Sequence, residues 1–73
     1  MNRVKNSLAT IRKQRNLNQA DLAAGVKVSR QTINGIENGK TDPTLATAIR
    51  LARFLNHPIE SIFELEDADP AMS

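Results

Sequence analysis

The chain has 73 residues, 25% of them charged and 40% hydrophobic, which is enough for one small core and leaves no room for a second. There is no cysteine and one histidine, so disulfides, thiolate zinc sites, cysteine nucleophiles and multi-histidine metal centres are excluded. The net charge of +2 hides an asymmetry: residues 1–40 hold eight Lys and Arg against two acids, and residues 41–73 hold two arginines against six acids. A basic half and an acidic half point to one face that meets a polyanion and another that does not. Met1-Asn2-Arg3-Val4-Lys5 has no apolar stretch behind it, and no apolar run is long enough to span a bilayer. The expectation is a cytoplasmic, single-domain binding protein over residues 1–66, with no membrane and no cofactor.

Taken in chain order, the predicted elements are helices. Val4, Leu8 and Ile11 recur at three- and four-residue spacing, with Arg12, Lys13 and Arg15 between them, giving an amphipathic helix over about residues 4–15. Asn18 is placed to cap a second helix containing Leu22, Ala23 and Val26, with Asp21 in its first turn where the positive dipole end favours a carboxylate. Ser29 opens a third helix, with Ile33 and Ile36 on its buried side and Gly39 as its stop. Thr44 caps a fourth, whose apolar stripe runs through Leu45, Ala48, Ile49, Leu51, Ala52 and Leu55. Asn56-His57-Pro58 breaks that helix; Ile59, Ile62 and Phe63 predict a short fifth one. Glu64-Leu65-Glu66 alternates like a brief strand, and residues 67–73 read as a frayed tail. The fold class is all-α, five helices, with a short C-terminal strand as its only β element.

The second and third helices, joined by a tight turn, are spaced as a helix-turn-helix over about residues 18–38. Ala23 permits a close crossing, and Leu22, Val26, Val28, Ile33 and Ile36 supply the shared core. The outward positions of the third helix are Arg30, Gln31, Thr32 and Asn34. These residue types suit the edges of bases: Arg gives guanine a paired donor, Gln and Asn match adenine, and the Thr methyl can touch thymine.

The run from Leu17 to Leu45, continued by ATAIRLARFLNHPIESIF, resembles the Cro/phage-repressor (XRE-type) helix-turn-helix family over about residues 6–63. The elements that carry the resemblance are Leu17-Asn18-Gln19, Ser29-Arg30-Gln31-Thr32-Ile33 and Ile36-Glu37-Asn38-Gly39-Lys40. It implies a lambda-repressor-like domain in which Gln19, Ser29, Asn38 and Lys40 hold phosphates of double-stranded DNA. Arg30, Gln31, Thr32 and Asn34 would read bases in the major groove. It also implies an Arg12–Glu37 ion pair with a structural role, and a homodimer on an inverted-repeat operator, most simply a repressor. Phe54, Ile62, Phe63 and Leu65 are the dimer-interface candidates, with the 63–66 strand pairing either with its mate or with the N-terminal segment.

Two positions depart from the family pattern. Lys27 stands where the turn usually has Gly, so either Lys27 adopts a left-handed conformation or the turn is rebuilt around Gly25. Gly35 lies in the recognition helix where a larger side chain is usual, at a helix-propensity cost of roughly 1 kcal/mol. The competing reading is an antitoxin-like or adaptor protein that binds a protein partner through its acidic half. The stretch Gly35–Thr41 is one residue short of a phosphate-binding loop and follows a helix rather than a strand, which excludes nucleotide binding. With one histidine and no carboxylate pair in a recognisable motif, no enzyme activity is expected, and His57 reads as a capping or exposed residue.

Overall fold

The computed structural model describes residues 3–66, with side chains from Val4 to Leu65; the frayed tail expected over 67–73 lies outside them. The order is β1 (Arg3–Asn6), α1 (Leu8–Gln14), α2 (Gln19–Val26), α3 (Arg30–Glu37), α4 (Leu45–Leu55), α5 (Ile59–Ile62) and β2 (Phe63–Glu66). No described helix is long and apolar enough to cross a membrane.

Helix starts follow the side chains expected to cap them. Asn18 accepts from the Asp21 amide, and the Asp21 carboxylate accepts from the Asn18 amide in return, a complete capping box. The Ser29 hydroxyl accepts from the Thr32 amide, and the Thr44 hydroxyl from that of Thr47. Helix ends follow a single device as well. One or two residues past each of α1 to α4 the chain turns left-handed, at Asn16, Lys27, Gly39 and Asn56, with φ of 59°, 62°, 71° and 56°. The next amide then folds back to a carbonyl five residues earlier: Leu17 to Arg12, Val28 to Ala23, Lys40 to Gly35 and His57 to Ala52.

Three of those four positions hold Gly or Asn, the residues that tolerate this conformation; Lys27 does not belong to that set. The turn is therefore built on a left-handed Lys27 and not on Gly25, which lies inside α2. Lys27→Gly should raise the unfolding free energy by about 0.5–1 kcal/mol, the relief of left-handed strain less the extra chain entropy of glycine. A higher urea midpoint at unchanged slope is the expected reading.

The core joins Leu8 and Ile11 of α1, Leu22, Ala23 and Val26 of α2, and Ile33 and Ile36 of α3. Ala48, Leu51 and Leu55 of α4 complete it with Ile62 and Phe63. Leu45 lies one turn ahead of Ala48 on the same stripe yet is 75% exposed, so the buried part of the α4 stripe begins at Ala48.

The N-terminus differs from expectation. Residues 3–6 are not the first turn of a helix but a strand antiparallel to β2, with Val4 opposite Leu65, Lys5 opposite Glu64 and Asn6 opposite Phe63. Val4 packs against the core from that strand, so its spacing from Leu8 imitated a helical period without belonging to one. The strand at 63–66 thus pairs within its own chain, taking the second of the two partners the sequence allowed. Asn6 joins the two-stranded sheet to the helices: its Oδ1 accepts from the Leu8 amide at 3.1 Å, and its Nδ2 donates to the Ile36 carbonyl at 2.8 Å.

Candidate nucleic-acid interface

α3 buries Ile33 and Ile36, and this one-sided anchoring turns its other residues outward. Arg30, Gln31, Asn34 and Gly35 of α3, with Gln19 at the start of α2 and Lys40 beyond α3, line one open concavity of about 610 Å³. Five of the residues singled out from the sequence therefore meet on one surface. Arg30, Gln31, Asn34 and Lys40 are exposed, and Gln19 is half-buried. A Cβ at Gly35 would meet the Thr41 side chain only at 3.7 Å, so this glycine is not required by close packing.

Thr32 is half-buried, and its hydroxyl lies 2.8 Å from that of Ser29. The two share a hydrogen bond at the start of α3, and neither lines the concavity. Asn38, at the other end of the helix, donates from Nδ2 to Asn34 Oδ1 at 3.0 Å. Behind the concavity sits the Arg12–Glu37 pair. Arg12 Nε donates to Glu37 Oε2 at 2.6 Å and its second terminal nitrogen to Oε1 at 3.1 Å. Arg12 also donates to the Leu17 carbonyl at 2.8 Å, tying α1, the α1–α2 connection and the end of α3 together. The side chains are 11% and 6% exposed, so this is a buried bidentate pair and not a surface one.

Burial pushes the Glu37 carboxyl up, but hydrogen bonds from Arg12 and Gln19 and the charges of Arg12 and Lys13 outweigh it. The group ends below its ordinary value. The Arg12 guanidinium is held above its own ordinary value, chiefly by the hydrogen bond to Glu37. Gln19 completes the site by donating from Nε2 to Glu37 Oε1 at 3.0 Å and accepting at Oε1 from Asn34 Nδ2 at 3.4 Å. Its side chain is thus engaged within the protein, a connection that residue spacing did not reveal.

Of the four dimer-interface candidates, Ile62 and Phe63 require correction. They are 1% and 9% exposed, buried in the protomer's own core, because α5 and the start of β2 close the bottom of the helix set. Phe54 and Leu65 are 43% and 64% exposed and remain free to meet a mate. Phe54 lies across Gly25, where a Cβ would overlap its ring, so this glycine makes room for an aromatic from α4.

Two capped helices crossing through a left-handed turn, the second with a polar outer face, define a helix-turn-helix domain. The chain belongs to the HTH_3 helix-turn-helix family, whose model matches residues 8–62. It is 50% identical over 64 residues to a protein of Methanocaldococcus jannaschii named an HTH-type transcriptional regulator, covering 88% of this chain and 97% of that one. It is 36% identical over 52 residues to the cryptic phage CTXphi transcriptional repressor RstR of Vibrio cholerae, covering 71% of this chain and 47% of RstR. Among solved structures, the restriction-modification controller protein C.AhdI of Aeromonas hydrophila is similar with a TM-score of 0.70 and 26% identity, over 74% of this chain and 82% of that one.

Proposed function

We propose that this chain binds double-stranded DNA sequence-specifically and represses transcription as a homodimer on an inverted-repeat operator. The observation that carries the reading is the single concavity that gathers Arg30, Gln31, Asn34, Gln19 and Lys40 on the outer side of α3. With α3 in the major groove, Arg30, Gln31 and Asn34 present hydrogen-bonding groups to base edges, and Thr32 positions the start of the helix through Ser29. Lys40, the second Nε2 hydrogen of Gln19, the remaining hydroxyl proton of the Ser29–Thr32 pair and the second Nδ2 hydrogen of Asn38 meet phosphates. Glu37 would repel phosphate, but its charge is taken up by Arg12. The repressor assignment is supported by the likeness to RstR.

The dimer is supported by the exposed Phe54 and Leu65, and it would set two recognition helices on half-sites about 10–10.5 base pairs apart or a multiple. Sedimentation at micromolar concentration should show a dimer with operator; a monomer with and without DNA removes this part of the reading.

Two substitutions separate base reading from phosphate binding. Arg30→Ala should lose roughly 1–3 kcal/mol on the preferred site and discriminate less at one base pair. Lys40→Ala should weaken binding to all duplexes alike and reduce the salt slope by about one. Fluorescence anisotropy across a salt series, on the preferred and scrambled duplexes, measures both. Arg30→Ala binding the preferred duplex as tightly as the parent would show that Arg30 reads no base.

A further inference from the structure

The polar side chains of the interface form a row with a direction. From the protein interior outward it runs Arg12, Glu37, Gln19, Asn34, Asn38, each joined to the next at 2.6, 3.0, 3.4 and 3.0 Å. A carboxylate can only accept hydrogen bonds, and Glu37 is held ionised by its buried pairing with Arg12. The Gln19 amide must therefore turn its nitrogen to Glu37, which turns its oxygen to Asn34. Asn34 must then show its nitrogen to Gln19 and its oxygen to Asn38, which must show its own nitrogen. One buried charge thus sets the orientation of three amides, two of which are exposed. In an all-amide row the same contacts could run in either direction.

Each amide keeps unused capacity. Asn34 spends one Nδ2 hydrogen on Gln19 and one Oδ1 lone pair on Asn38, leaving one donor and one acceptor. That pair is the complement of adenine in the major groove, whose N7 accepts and whose N6 donates.

We propose that Glu37 is the positioning residue for base recognition: by fixing the direction of the amide row it makes Asn34 a reader of adenine. This rests on the DNA-binding reading above. Reversing the row would exchange the donor and the acceptor of Asn34 in place and lose the match to adenine, while Arg30, outside the row, would read as before.

The test uses duplexes carrying the preferred site and its single-base variants, titrated with the parent chain and the variants Asn34→Ala, Glu37→Gln and Gln19→Met. Glu37→Gln removes the charge that sets the direction. Gln19→Met cuts the row but leaves the Arg12–Glu37 pair intact, so it answers the question if the first variant is unstable; circular dichroism confirms that each is helical. The parent should prefer adenine at one position of each half-site by roughly 5- to 150-fold, a preference absent in Asn34→Ala. Glu37→Gln and Gln19→Met should reduce that preference, at least about twofold, and keep the preference dependent on Arg30. The Asn34 side-chain amide resonances should also shift in both variants without DNA. Undiminished adenine preference in the folded variants would overturn the role of Glu37, and an adenine preference that survives Asn34→Ala would overturn the assignment of Asn34. A parent chain that binds every duplex alike would overturn the DNA-reading function itself, and this inference with it.

Discussion

Replacing Arg12 with alanine is expected to remove about 3–5 kcal/mol of folding stability, because it leaves the Glu37 carboxylate buried with no cation. A chain of this length has roughly 4–11 kcal/mol in all, so the variant should be marginal or unfolded at room temperature. The loss has two parts: the bidentate bonds to Glu37, and the bond to the Leu17 carbonyl that fixes the approach to α2. The pair also gives the parent a pH signature. Unfolded, Glu37 titrates near its ordinary 4.5; folded, it titrates lower, so the unfolded chain binds more protons as that range is entered. The pair's contribution is full above the unfolded value and is lost as pH falls through the depressed folded one. The stability gap between the parent and Arg12→Ala should therefore narrow between pH 7 and pH 3. Urea unfolding at several pH values measures it; a constant gap would mean that Glu37 does not carry the effect.

Ile33→Ala is expected to cost about 2–5 kcal/mol, the transfer energy of the lost side chain plus the cavity beneath α3. Ile33 is fully buried and, with Ile36, is what holds the recognition helix against the rest of the core. Because Arg30 and Asn34 stand on the same helix, loosening this anchor should weaken DNA binding beyond the fraction unfolded. Denaturant unfolding and binding measured on one preparation separate the two. Unchanged affinity of the folded fraction would show that α3 is positioned from elsewhere, for instance through the Asn6 bond to the Ile36 carbonyl.

The parts of this fold that could be read from sequence are those fixed by local chemistry. Asn18, Ser29 and Thr44 cap helices by bonding amides three residues ahead, and the Gly39 stop acts within a few residues. β1 was hidden because its partner lies about 60 positions away, while Val4 stands four residues before Leu8 as a helical residue would. Ile62 and Phe63 were legible as apolar but not as belonging to the protomer's own core, since spacing does not say which copy covers a face. In the site, the outward set on α3 followed from helical period. The Arg12–Glu37 pair came from family resemblance, because no local rule joins residues 25 apart. The amide row was illegible altogether: it depends on how α2 crosses α3, which brings Gln19 to Asn34. The departure at Lys27 was visible, but only the backbone decides between a strained lysine and a turn around Gly25.

The proposed function stands or falls with the α3 surface reading duplex DNA. The most direct measurement is selection from a random duplex pool with the purified 73-residue chain at moderate salt. Enrichment of an inverted repeat with half-sites one helical turn or a multiple apart is the predicted result. A folded, helical protein that enriches no sequence would contradict it.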